Sequence, residues 1–197
     1  MSTLNTLSDA TIHETAVVEI GAQIGKGSKI WHFTHIMGGA VLGENCNVGQ
    51  NVFIDDGVTI GSGVKIQNNV SVYRGVEVAE DCFLGPSVVF TNVINPRAAV
   101  VRRTEFKKTT LKKGVSIGAN ATIVCGVTLG EYAFVGAGAV VTEDVGEFEL
   151  VLGIPARCVG WMSEFGERLN FDEVGIAICG GTGDRYSLVE GKVKKLN

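Results

Sequence analysis

One aliphatic residue recurs every six positions over most of this chain. From Ile12 the series runs through Val18, Ile24, Ile30, Ile36, Leu42, Val48, Ile54, Ile60, Ile66, Val72, Val78 and Leu84 to Phe90, with no member missed. The phase then breaks with a step of 21 residues and resumes as Leu111, Ile117, Ile123, Leu129, Val135 and Val141. A small residue stands four places after many of these, as at Ser28, Thr34, Ala40, Cys46, Cys82, Ala121 and Ala139. Gly often follows the aliphatic directly, as at Gly25, Gly43, Gly49, Gly61, Gly85, Gly118, Gly130 and Gly136.

A period of six fits neither the 3.6-residue turn of a helix nor the two-residue alternation of a hairpin sheet. It is the pattern of an all-β parallel β-helix, in which each hexad is a short strand plus a corner. Three hexads close a triangular coil, so residues eighteen apart stack at the strand spacing of about 4.8 Å. The hexads predict about seven coils. Gly near the corners supplies backbone angles that other residues resist.

Residues 1–10 carry no repeat and read as a loose leader. The break at 91–110 is one hexad with a long insertion, which an apolar coil must extrude at a corner as a loop. Loops of that length usually serve a function. With the residues that follow, it carries Arg97, Arg102, Arg103, Lys107, Lys108, Lys112 and Lys113 against one acid, Glu105. That cluster suits either plain solvation or the clamping of an anionic ligand. The β-helix is expected over 11–155. A C-terminal part, 156–197, would hold a short capping helix from Trp161 to Leu169 and a hairpin tail. The helix would cover the open end of the last coil. The tail's CGGTGDRY looks like a decayed Cys-x-x-Cys turn with Thr182 in place of the second Cys, so no metal is expected there.

Composition narrows the classes. The 197 residues suffice for one solenoid and a small tail, and 27 Gly with 3 Pro show no collagen period. A net charge of −4 gives no footprint for nucleic acid. No apolar run or charged leader predicts membrane insertion, so a cytoplasmic location is expected. The 5 Cys form no ligand-spaced cluster and read as buried reduced thiols.

The hexads, the excursion loop and a terminal Gly-x-Pro-Ala-Arg turn (Gly153 to Arg157) together resemble the left-handed β-helix acyltransferases. The left hand comes from that resemblance, since crossover rules favour the right. IWHFTHI, GQNVFI, VKIQNNVSVY, CFLGPSVVFTNVINPRAA and GIPARCVGWMSEFGERL resemble more narrowly the N-acetyltransferases of nucleotide-linked 3-amino sugars. Within these, the resemblance is greatest to the UDP-2-acetamido-3-amino-2,3-dideoxy-glucuronate N-acetyltransferases of bacterial surface polysaccharide (lipopolysaccharide) synthesis. It covers about residues 11–170. It implies acetyl-CoA as donor, a nucleotide-sugar amine as acceptor, and a homotrimer with sites between subunits. The runner-up acceptor is a dTDP-linked 3-amino-3,6-dideoxyhexose. The two differ in whether a sugar carboxylate must meet a cation.

The eighteen-residue coil also predicts which polar side chains stack. His32, Gln50 and Asn68 form one corner column, with Phe33, Asn51, Asn69 and Ser87 beside it. Asp56, Arg74 and Asn92 form a column at another corner, where the basic loop begins. The expected site lies between these corners of neighbouring subunits, with the loop closing over the nucleotide. Gln50, Asn51, Asn68, Asn69 and Arg74 are candidate substrate contacts, although Asn51 and Asn69 equally suit a structural amide ladder. Arg97, Arg102 and Arg103 are candidates for the diphosphate or a sugar carboxylate.

Amide formation from a thioester needs a neutral amine near the carbonyl carbon, donors for the oxyanion and a proton for the leaving sulfur. A sugar amine is less basic than lysine, so a dedicated base helps but is not required. The resemblance implies that Asn92 orients the amine or the sulfur. His32 and His35 are the alternative bases. Ala119 and Ala137, whose small side chains admit close backbone approach, and Arg157 are the candidate CoA contacts. A non-enzymatic scaffold or an anhydrase-like solenoid is the other class. The anhydrase needs metal-spaced histidines that His13, His32 and His35 do not supply.

Overall fold

The computed structural model describes residues 9–196, so most of the expected leader, residues 1–8, lies outside the described residues. The described chain is all-β, and the hexads stack as a triangular solenoid consistent with a left-handed β-helix. Three walls of parallel strands run along it. The first holds Thr11–Ile12, Lys29–Ile30, Asn47–Val48, Lys65–Ile66, Phe83–Leu84, Ser116–Ile117, Phe134–Val135 and Glu149–Leu152. The second runs from Val17–Val18 to Val140–Val141, and the third from Gln23–Ile24 to Thr128–Leu129.

The register is the predicted one. Ile30 pairs with Val48, and Ile36 with Ile54. Across the insertion Val78 pairs with Leu111 and Leu84 with Ile117, so the loop leaves without shifting the ladder. The inward residues form one continuous core. Ile36, Val48, Ile54, Ile66, Leu84, Ile117 and Val135 are wholly buried. Burying each such side chain is worth about 1.5–3 kcal/mol, which is why so short a strand as two residues suffices when twenty of them stack.

Corners fall where the chain enters the left-handed region. Phe33, Asn51, Asn69, Ser87 and Asn120 all have φ between 56° and 63° at the corner joining the first and second walls. Asn tolerates this conformation through its short polar side chain, and Phe does not.

Two expectations for the C-terminus are corrected. No helix forms between Trp161 and Leu169. Arg157–Met162 instead pairs antiparallel with Glu149–Leu152, and Arg168–Leu169 pairs with it in turn. The last coil presents a row of unpaired backbone groups, and a strand satisfies them where a helix cannot. Gly166, at φ 90° and bonded back to Ser163, makes the turn that a helix would forbid. The tail is a three-stranded sheet rather than a hairpin: Ile176–Ile178, Arg185–Val189 and Lys192–Leu196. It closes a second small core around Phe148, Leu169, Ala177 and Tyr186. The boundary expected at 155/156 falls within the turn between the antiparallel strands.

Of the cysteines, Cys46, Cys82, Cys125 and Cys179 are buried thiols, but Cys158 is exposed on the outer antiparallel strand, contrary to expectation. That strand has no coil beyond it to cover its face. Burial pushes the Cys82 thiol up to about 12. Among the described residues no group of three or more His, Cys, Asp or Glu is placed to hold a metal, and no helix is long and apolar enough to cross a membrane.

Candidate functional site

Two corners of the prism flank the second wall, and they carry the polar columns. At the corner between the first and second walls stand His32, Gln50 and Asn68. The backbone there is a regular ladder: Asn51 N–H donates to His32 O, Asn69 N–H to Gln50 O, and Ser87 N–H to Asn68 O, each at 2.9 Å. Asn68 Oδ1 accepts Gln50 N–H at 2.8 Å. Asn51 Nδ2 donates to Asn69 Oδ1 at 3.1 Å. All four residues are exposed, but Asn51 spends its NH₂ on Asn69, whereas Asn68 spends only its oxygen, on the Gln50 N–H.

His32 does not stand alone. Its ring stacks on His13, centroids 3.5 Å apart. His13 Nδ1 accepts Thr15 N–H at 3.2 Å and lies 2.9 Å from Thr15 Oγ1. Thr15 Oγ1 in turn accepts Phe33 N–H at 3.0 Å, bracing the strained residue next to His32. His35 is elsewhere. It projects from the second wall, 2.9 Å from Glu19 Oε1, with its edge toward Phe53.

Further along the same corner the side chains vanish. Gly85, Gly118 and Gly136 lead into Pro86, Ala119 and Ala137, the continuation of the His32 column. A side chain at Gly118 would meet the backbone of Ala137 at 2.4 Å, and one at Gly85 would meet Gly118 and Ala119. The upper half of this corner thus packs coil on coil through its glycines, Gly85 and Gly136 being buried, and presents only the small side chains of Pro86, Ala119 and Ala137 beside them.

The other corner, between the second and third walls, carries Asp56, Arg74 and Asn92. Arg74 makes an ion pair with Asp56 and donates Nε to Asp56 O at 3.1 Å, so its charge is already met. Asn92 begins the excursion, and its carbonyl accepts Lys107 N–H at 2.9 Å, pinning the neck of the loop. Beyond the neck, Arg102 forks onto Glu105 at 2.7 and 2.9 Å, while Arg97 and Arg103 are exposed. Arg102 Nε is buried with no partner. The loop shelters a cavity of about 490 Å³ lined by Thr104, Phe106 and Lys107 among others.

The second wall between these corners shows an outward row of Val17, His35, Phe53, Ser71, Val89, Thr122 and Val140. No Lys, Arg, Asp or Glu interrupts it, and Val17 and Val89 are 56% and 48% exposed. The first wall carries Lys29 and Lys65 in the equivalent row, and the third carries Glu77.

A model of bacterial transferase hexapeptide repeats, six to a unit, matches residues 21–56, 57–92 and 108–143, skipping the excursion. The chain belongs to the bacterial transferase hexapeptide family. It is an enzyme of the acyltransferase class. This hexapeptide transferase is 44% identical over 186 residues, 94% of each chain, to the dTDP-3-amino-3,6-dideoxy-α-D-galactopyranose 3-N-acetyltransferase of Aneurinibacillus thermoaerophilus. It is 29% identical over 165 residues to the bifunctional protein GlmU of a Nostoc strain, matching 81% of this chain but 33% of that one. Among solved structures, a Bacillus cereus protein provisionally assigned as an acetyltransferase overlays with a TM-score of 0.53 at 20% identity. That overlay covers 79% of this chain and 86% of the other, and it speaks to the fold.

Within one copy of the hexapeptide transferase, the columns fall at the corners that the period predicts. Asn92 and the loop arginines nevertheless stand at one corner, with His32, Gln50 and Asn68 at the other. Ala119 and Ala137 share a corner with His32, which the coil arithmetic contained but the sequence reading did not draw out. Arg157 lies on the outer strand, its Nη1 turned onto Ala156 O at 2.8 Å. The reading also missed His13, Trp31 and Gln67. The signal was present, because residues 13, 31, 49 and 67 are successive eighteenth neighbours.

Proposed function

We propose that this transferase moves the acetyl group of acetyl-CoA onto the 3-amino group of a dTDP-linked 3-amino-3,6-dideoxyhexose, and that it works as a homotrimer. The carrying observation is the 44% identity over 94% of both chains to an enzyme named for that acceptor. This replaces the UDP-glucuronate acceptor expected from the resemblance, which the comparisons do not support. A 6-deoxy sugar presents a methyl group and no carboxylate, so no cation is needed at C6. The loop cations are then left for the diphosphate.

The uncharged second wall supports the trimer. Three such walls facing a common axis bury Val17, Phe53 and Val89 under closed symmetry. The two corners flanking that wall then belong to facing edges of adjacent copies, and Asn92 of one copy meets the polar column of the next. The heights agree. Asn92 follows Phe90, which shares a coil with Leu84, and Pro86 of that coil is where the corner column changes from polar side chains to small apolar ones. The acceptor enters along Gln50 and Asn68, CoA along Ala119 and Ala137, and the reacting atoms meet at the level of Asn92.

There the neutral amine attacks the thioester carbonyl. Asn92, an amide and no base, orients the amine or the sulfur, and backbone N–H groups along the corner receive the oxyanion. The proton passes to the departing thiolate. His32, braced by His13, faces this corner and can accept a proton from the ammonium. His35 is tied to Glu19 on the buried wall and is the poorer candidate. Arg97, Arg102 and Arg103 close on the diphosphate, and Arg157 meets a phosphate of CoA.

The test is a thiol-release assay with acetyl-CoA over a panel of dTDP- and UDP-linked 3-amino sugars. Release with the dTDP-3-amino-3,6-dideoxyhexoses and little with the UDP-uronate is the expected result. The reverse preference, or no release with any amine, overturns the proposal.

A further inference from the structure

One cavity of the solenoid borders the His32 corner, where Gln50 and Asn68 line the acceptor's path, but its remaining walls, Trp31, Gly49 and Gln67, have no part in the chemistry above. It has a volume of about 310 Å³ and opens on the first wall where that wall reaches the His32 corner. Its shape has a simple origin. Trp31, Gly49 and Gln67 are successive eighteenth neighbours, and the middle one has no side chain. Trp31 and Gln67 thus stand two coils apart, roughly 9–10 Å, with a notch between them. Gly49 cannot be filled, because a Cβ there would lie 2.6 Å from Asn68 Oδ1 and 2.9 Å from its backbone nitrogen.

Each wall of the notch has a distinct character. Trp31 is 39% exposed, and its Nε1 donates to Asn47 Oδ1 at 2.8 Å, which fixes the indole while leaving a face open. Asn68 is also fixed. Its Oδ1 is spent on Gln50 N–H, so the amide cannot flip and its NH₂ is directed away from the backbone as a donor. Gln50 and Gln67 add carboxamides free to rotate. An aromatic face, one oriented donor and a rotatable acceptor fit a flat heterocycle with an acceptor–donor edge.

We propose that this notch is the nucleobase site and that it selects pyrimidine-2,4-diones, thymine and uracil. The ring stacks on Trp31, its O4 accepts from Asn68 Nδ2, and its N3–H donates to the side-chain oxygen of Gln67 or Gln50. Cytosine places an NH₂ where O4 should be, opposite the fixed Asn68 donor. Adenine presents an NH₂ and an unprotonated ring nitrogen on the corresponding edge, the reverse of the dione pattern. The identity of the nucleotide as a diphosphate of thymidine rests on the acceptor reading above. The choice of base by the notch rests on Trp31, Gly49, Gln67 and Asn68 alone.

The experiment is calorimetric titration of the full-length protein with dTDP, UDP, CDP and ADP, repeated on Trp31→Ala, Trp31→Phe and Asn68→Asp. Wild type should bind dTDP and UDP at least tenfold more tightly than CDP or ADP. Trp31→Ala should lose on the order of tenfold or more for dTDP, with Trp31→Phe recovering most of it, as expected for stacking. Asn68→Asp, which replaces the donor by an acceptor, should narrow or invert the preference over CDP. Acetyl-CoA titrated into each variant reports whether the fold is intact. Equal binding of all four nucleotides, or unchanged dTDP affinity in Trp31→Ala, overturns the base site even if acetyl transfer to a dTDP-amino sugar is observed. Selective dTDP binding without any acetyl transfer upholds the base site and overturns the acceptor reading instead.

Discussion

Asn92 is where the ordinary hexad stops, and its backbone and side chain do different work. The carbonyl pins Lys107 at the neck of the loop, while the side-chain amide is the group proposed to orient the reactants. Asn92→Ala is expected to lower turnover on the order of 100-fold, the scale for removing one oriented donor, with acetyl-CoA affinity kept. Thiol release under saturating substrates measures it. His32→Ala should cost less than Asn92→Ala if the amine attacks as the free base, and the deficit should shrink as pH rises and the amine deprotonates without help. Phe33 marks the same corner by its discomfort. It holds φ 56°, an angle that suits Asn or Gly, and natural chains keep such residues where function requires them. The thiols divide cleanly. Cys82 is buried with its ionisation pushed up to about 12, so iodoacetamide at pH 8 should label Cys158 in the native protein and spare Cys46 and Cys82. Mass spectrometry of the peptides reads the outcome.

At the scale of the strand, stability is a property of stacks. No two-residue strand holds itself. Each is held by the register above and below, and by the inward side chain that fills the prism. Leu84→Ala removes a wholly buried side chain next to the excursion and should cost about 2–5 kcal/mol, measured by denaturant unfolding. The tail behaves differently because its cohesion is partly ionic. Glu167 accepts Gly181 N–H, which first among its partners holds its carboxyl below the usual range, and Lys195 does the same for Asp184. Carboxyls with lowered pKa contribute stability above their ordinary values, near pH 4 to 4.5, and lose it as pH falls through the depressed ones. Acid should therefore loosen the three-stranded sheet before the apolar coils. Trp161 fluorescence should change at a higher pH than the far-ultraviolet dichroism of the solenoid.

For the whole molecule, the decisive feature is that the columns lie on either side of one uncharged wall. A single copy separates Asn92 from the column at His32, and the proposed threefold assembly would bring them to facing edges. Val89→Glu puts a charge on that wall and should yield monomers by sedimentation, together with loss of acetyl transfer. A sharper check uses two impaired proteins, assayed at low pH where the His32→Ala deficit is greatest. Trimers mixed from Asn92→Ala and His32→Ala subunits contain interfaces with both wild-type corners, so activity should return on co-assembly and not on simple addition of preformed trimers. Its failure to return would separate the two corners functionally.

The hexad period in the sequence carried the fold, the core residues, the columns and the exit point of the loop, because a repeating unit can close its core in only one register. Columns such as 13, 31, 49 and 67 were equally legible and needed only the same arithmetic. The ending was not. From Trp161 to Leu169 the sequence offers no repeat, and a strand won over a helix because the last coil's backbone needed partners, a demand set by the structure beneath it. Likewise no local pattern distinguishes Asn68, whose amide oxygen alone is spent, on the Gln50 N–H, from Asn51, whose NH₂ is spent on Asn69. Which polar side chains are free for a ligand was decided by hydrogen bonds between residues eighteen apart, and those exist only once the coil is closed.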